Sequence, residues 1–158
     1  MTETSNKRVI HKWIDKVVLS EEEIKAKVKS LATRINADYT DGEPLVVVAI
    51  LKGAFIFCAD LTRELTIPHS VDFMSISSYG KGTKTSGIVK IVMDLRTNIE
   101  NKHVLIVEDV IDSGLTLKYL LELLGGRNPK SLEVCVLSRK PSPKVAVEVK
   151  YVGFEIPA

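Results

Sequence analysis

Seven consecutive apolar residues, Leu45-Val46-Val47-Val48-Ala49-Ile50-Leu51, constrain this chain more than any other feature. The run lies between the turn signal Asp41-Gly42-Glu43-Pro44 and Lys52-Gly53, is rich in β-branched residues, and is too short for a buried helix. A strand with no polar alternation has both faces covered, which is the situation inside a parallel sheet. His103-Val104-Leu105-Ile106-Val107 repeats the pattern. Apolar positions at helical spacing follow each run: Ala54, Phe57, Cys58, Leu61 and Leu65 after the first, Leu117, Leu120, Leu121 and Leu124 after the second. Strand then helix, twice over, predicts a doubly wound α/β domain with a mostly parallel sheet flanked by helices. Its ligands belong at the carboxyl ends of the strands.

The remaining segments fit around that frame. Ser20 with Glu23 three positions on forms a capping box, opening a helix through about residue 38 with Ile24, Val28, Leu31 and Ile35 on one face. Residues 71–76 and Ile88–Met93 read as strands around 77–87, whose Gly, Ser, Thr and Lys content predicts a mobile loop with Tyr79 as its apolar anchor. Residues 132–137 and 145–152 supply two more strands, and Gly125-Gly126 is expected to cap the preceding helix. Trp13 and its apolar neighbours predict an N-terminal segment docked on the core. No repeat or linker interrupts residues 1–158, so one domain is expected, and 158 residues are enough for one hydrophobic core.

A net charge of +2 gives no basis for a nucleic-acid or membrane partner. No apolar run approaches membrane-spanning length, and residues 1–12 are polar with mixed charge, so a cytoplasmic protein is expected. Cys58 and Cys135 lack metal-ligand spacing and read as buried free thiols. His11, His69 and His103 match no chemical motif and read as structural or exposed.

The chemistry concentrates in Val104-Leu105-Ile106-Val107-Glu108-Asp109-Val110-Ile111-Asp112-Ser113-Gly114-Leu115-Thr116. A buried strand runs into three carboxylates, then a Gly-containing turn, then a helix. The helix start exposes backbone N–H groups beside the Ser113 and Thr116 hydroxyls, which makes a phosphate cradle helped by the helix dipole. Glu108 and Asp109 precede it, where carboxylates can accept from sugar hydroxyls or hold a hydrated Mg²⁺. A phosphate cradle beside a diol-binding acidic pair describes a ribose 5-phosphate site. No Gly-Lys-Ser/Thr follows, so this is not a Walker loop. The first strand ends in Lys52-Gly53 rather than in acids, which disfavours a flavodoxin-like receiver.

Residues 107–116 resemble the phosphoribosyl diphosphate signature of the type I phosphoribosyltransferases. Leu51-Lys52-Gly53, Ser78-Tyr79-Gly80 and Tyr151-Val152-Gly153-Phe154-Glu155-Ile156-Pro157 extend the resemblance to the hypoxanthine-guanine branch, over nearly the whole chain. The resemblance implies the type I phosphoribosyltransferase fold. It also implies purine salvage: transfer of a phosphoribosyl group from phosphoribosyl diphosphate to hypoxanthine or guanine, with Mg²⁺. By matching position, Glu108 and Asp109 bind the ribose hydroxyls, partly through the metal. Asp112 is the general base near the purine N7, and Asp112, Ser113, Gly114, Leu115 and Thr116 hold the 5-phosphate. Leu51, Lys52 and Gly53 meet the pyrophosphate through a cis Leu51-Lys52 peptide, and Ser78 and Tyr79 sit in the loop that closes over the centre. Val110 flanks the base and Lys140 donates to its 6-oxo group. Arg139 competes for that last role, because the connection to Val152-Gly153-Phe154 is shorter than the family's. A homodimer or homotetramer is implied as well. The family continues beyond the position of Pro157 with an aspartate, a base-stacking aromatic and a metal-associated aspartate. The sequence as given stops at Ala158, so an incomplete base half is expected. Two rival expectations are an enzyme for xanthine or another oxopurine, and a non-catalytic regulator that keeps the site as a nucleotide sensor. The near-neutral charge disfavours a regulator that reads RNA.

Overall fold

The computed structural model describes residues 12–79, 88–141 and 147–157, with the backbone alone for Ser78, Tyr79 and Ile88. Six strands form one sheet in the order β3-β2-β1-β4-β5-β6. They are β1 (Leu45–Leu51), β2 (His69–Tyr79), β3 (Ile88–Met93), β4 (His103–Ile111), β5 (Ser131–Arg139) and β6 (Tyr151–Glu155). Every pairing is parallel except β2 with β3, which is antiparallel. The helices are α1 (Glu21–Asp38), α2 (Phe55–Glu64) and α3 (Leu115–Gly125).

The β1 run is buried from Leu45 to Ile50 because its alternate side chains feed two separate cores. Leu45, Val47 and Ala49 pack with Val28, Leu31 and Ile35 of α1 and Phe57, Cys58 and Leu61 of α2. Val46, Val48 and Ile50 pack with Leu117, Leu120 and Leu124 of α3. This two-sided burial removes any polar alternation from the sequence of a central parallel strand. The capping box forms in full: Ser20 Oγ accepts from Glu23 N at 3.1 Å, and Ser20 N donates to the Glu23 carboxylate at 2.6 Å. Such a cap is worth about 1 kcal/mol.

Several expected boundaries move. Strand β2 continues through residues 77–79, paired with β3 down to Tyr79↔Ile88, so the strand includes Ser78 and Tyr79 rather than ending before them. The rest of the expected loop, 80–87, lies outside the described residues, as do the Ser78 and Tyr79 side chains. The last strand is β6, later than the expected 145–152. Val147 and Val149 are instead irregular chain laid against the second core, and their alternation reports one-sided burial without a ladder. Gly126 closes α3 with φ −66°, a right-handed conformation, and the left-handed residue beyond it is Asn128 at φ 56°. Asparagine is among the few residues that adopt that conformation readily. Trp13 is 79% exposed, and Ile14, Val17 and Val18 are exposed with it, so this segment is not docked on the core. Helices α1 and α2 already cover that face of the sheet.

Candidate active site

Strand β4 is buried from Val104 to Val107 and then emerges: Glu108 and Asp109 are half-buried and Val110 is 41% exposed. Ile111 turns back into the core, and Asp112 is exposed at the strand's end. Gly114 follows at φ 79°, a left-handed conformation that a side chain would strain, and it is the N-cap of α3. No side chain caps this helix. The nearest hydroxyl, Ser113 Oγ, reaches Leu115 N only at 3.4 Å, the long limit of a hydrogen bond. The first turn of α3 therefore presents its N–H groups to a cavity of about 80 Å³ lined by Glu108, Val110, Asp112, Ser113, Gly114 and Thr116 among others. An uncapped helix start with hydroxyls alongside is an anion site.

The Lys52 turn meets the next residue of β4, Asp109. The Leu51-Lys52 peptide is cis, Lys52 is exposed, and Gly53 packs directly on Asp109. A Cβ added to Gly53 would lie 2.4 Å from Asp109 Oδ2 and 2.7 Å from its Cγ. The Asp109 carboxylate thus occupies the space a side chain at residue 53 would need, which explains a glycine there. Burial, followed by the adjacent Asp109 charge, pushes the Glu108 carboxyl up to about 8. Glu108 lines the cavity on the α3 side, while its neighbour Asp109 meets Gly53.

Lys140 N donates to Ile111 O at 3.0 Å, holding residue 140 beside the end of β4. Arg139, the competing donor, is engaged elsewhere. Its guanidinium binds the Glu155 carboxylate through Nε, at 3.1 Å, and Nη2, and holds that carboxyl below its ordinary range. Lys140 makes no ion pair with a described residue and is the cation left over. Leu115 opens α3 without lining the cavity. Ser78 and Tyr79 continue β2, the neighbour of β1, with their backbone only described.

Asp41, Glu43 and His103 also converge, with ligand atoms within 4.8 Å of one another. They lie at the amino end of the sheet, five residues before Glu108 on β4, which is roughly 16 Å away at 3.3 Å per residue. Lys130 Nζ already sits 3.0 Å from Glu43 and 3.6 Å from Asp41. His103 bridges Asp41, at 2.7 Å, to Ser131, the structural part expected of it. This cluster is a surface ion pair network remote from the cavity.

Two residues that the sequence did not single out for a role of their own matter here. Ser138 is buried with its hydroxyl on the Asp109 carbonyl, and Gly153 lets β6 close on β5. A serine in an apolar strand and a glycine in a strand were the only available signals.

With an uncapped helix start beside Glu108 and the Lys52 turn packed on Asp109, residues 16–157 match the family described as the phosphoribosyl transferase domain. The chain belongs to that family. Its relatives put it in the hypoxanthine-guanine branch: it is 55% identical to the hypoxanthine-guanine phosphoribosyltransferase of Dictyostelium discoideum, covering 89% of this chain and 81% of the relative. Identity to the hypoxanthine phosphoribosyltransferase of Salmonella typhimurium is 52%, covering 89% and 80%. The crystal structure of a hypoxanthine phosphoribosyltransferase from Staphylococcus aureus superposes with a TM-score of 0.90 at 44% identity, covering 96% of this chain and 83% of that one.

Proposed function

We propose that this chain transfers the 5-phosphoribosyl group of phosphoribosyl diphosphate to hypoxanthine or guanine, releasing pyrophosphate, with residues 1–158 acting as one purine salvage domain. The observation that carries this reading is the packing of Asp109 on Gly53, which sets the Lys52 turn against the residue that follows Glu108, a wall of the cavity at the start of α3.

In this reading the N–H groups of Ser113, Gly114, Leu115 and Thr116, with the two hydroxyls, hold the 5-phosphate. Glu108 and Asp109 take the ribose hydroxyls and, with their hard oxygen donors, hold Mg²⁺. The raised Glu108 carboxyl fits a site whose countercharge arrives with its ligands. When bound, the metal neutralises the leaving diphosphate. Leu51, Lys52 and Gly53 meet that diphosphate, Val110 lies against the base, and Lys140 donates to its 6-oxo group. Asp112 accepts the purine proton as the bond from ribose to base forms and the bond to diphosphate breaks. Ser78 and Tyr79, on the strand beside β1, help to exclude water from a ribose with oxocarbenium character.

Asp112→Asn keeps the shape and removes the proton acceptor. The formation rate of nucleoside monophosphate from either purine is expected to fall by about a hundredfold or more, with an unchanged melting temperature. A rate within a few-fold of wild type contradicts the assignment.

A homodimer or homotetramer is supported by exposed apolar side chains along one edge, Val71, Phe73, Val92 and Met93, with Phe55 and Ile56 of α2. A cytosolic setting is supported by two buried free thiols. Among the described residues no helix is long and apolar enough to cross a membrane.

A further inference from the structure

Pairing of β4 with β5 runs in register from His103↔Ser131 to Glu108↔Val136, skips Asp109, and resumes at Val110↔Ser138. Pairing of β5 with β6 skips the same level, between Val136↔Val152 and Ser138↔Phe154. At that level β6 presses on β5: a Cβ added to Gly153 would lie 2.4 Å from the Leu137 carbonyl oxygen. Across the gap on the other side, Ser138 Oγ donates to the Asp109 carbonyl at 3.3 Å.

Ser138 is 6% exposed and, tyrosines aside, the one buried polar side chain among the described residues. A buried hydroxyl is costly unless it is bonded, so this serine has a specific partner to serve. The partner is the residue whose carboxylate rests on Gly53. Asp109 is therefore held by its carbonyl, through Ser138, while its carboxylate lies against Gly53. Rotation of the peptide that joins Asp109 to Val110 would break the Ser138 contact.

We infer that Ser138 is a positioning residue for phosphoribosyl transfer: its hydroxyl locks the Asp109 peptide and so aims the Glu108–Asp109 pair at phosphoribosyl diphosphate. The inference rests on the proposed role of that pair. It differs from a merely structural serine in what it should move. A packing role changes melting temperature alone, whereas a positioning role changes diphosphate recognition through Asp109 and leaves purine recognition untouched.

The experiment is a double-mutant cycle on Ser138→Ala and Asp109→Asn, measuring the KM of phosphoribosyl diphosphate over a Mg²⁺ titration, the KM of guanine, and the melting temperature. Loss of one hydrogen bond to a buried carbonyl should raise the phosphoribosyl diphosphate KM about three- to tenfold. The guanine KM should stay at the wild-type value. In the Asp109→Asn background, Ser138→Ala should add nothing, because the carboxylate it aims is gone. Should Ser138→Ala leave the diphosphate KM unchanged, or raise it by the same factor in both backgrounds, the inference is overturned while the acidic pair keeps its role. Should Asp109→Asn itself leave that KM unchanged, the role of the pair fails, and the inference with it.

Discussion

Gly53 and Gly153 have the same clearance, 2.4 Å from an added Cβ to the nearest oxygen, but the oxygens differ in kind. At Gly53 the obstacle is the Asp109 carboxylate, the free end of a side chain that can swing aside. At Gly153 it is the Leu137 backbone carbonyl, held within a strand. The same substitution should therefore have opposite consequences. Gly53→Ala is expected to melt like wild type and lose phosphoribosyl diphosphate affinity, because Asp109 is displaced from its place in the site. Gly153→Ala is expected to lose about 1–3 kcal/mol of stability, several degrees in Tm, from overpacking. Thermal melts and diphosphate titrations on both variants separate the cases. Equal melting losses in the two would mean that Asp109 cannot move. Neither clash was legible in the sequence, since each joins residues that are distant along the chain.

At the scale of elements, the end of β4 was legible because three carboxylates and a glycine turn interrupt an otherwise apolar run. Side chains advertise such a change. The true length of β2 was not: residues 77–79 are polar, and what makes them a strand is pairing with β3 across the sheet edge. The engagement of Arg139 was also beyond the sequence, because it depends on Glu155 of the neighbouring strand. The crowding that β4 imposes on Glu108 has a consequence for pH. This carboxyl has an ordinary value of 4.5 and is raised to about 8 in the folded chain, so folding favours its protonated form. Its contribution to stability is full below 4.5 and is lost as pH rises through 8. Glu108→Gln removes this titration. In the absence of ligands, its melting temperature relative to wild type should climb across that window. A constant difference at all pH values would show that Glu108 is not held protonated by its surroundings.

For the whole molecule, the two apolar runs and the helical stripes after them were enough to read a parallel α/β sheet, and the order β3-β2-β1-β4-β5-β6 bears this out. The adjacency of β1 to β4 brings the ends of those two runs together, and with them the Lys52 turn and the acidic pair. At this scale the proposal is that these two ends make one phosphoribosyl diphosphate site. Calorimetric titration of phosphoribosyl diphosphate with Mg²⁺ into the wild-type chain and into the Glu108→Gln, Asp109→Asn double variant tests it most directly. Binding is expected to be at least about tenfold weaker in the variant, with the Mg²⁺ dependence blunted and the affinity for free guanine retained. Equal phosphoribosyl diphosphate affinity in the two proteins would contradict it.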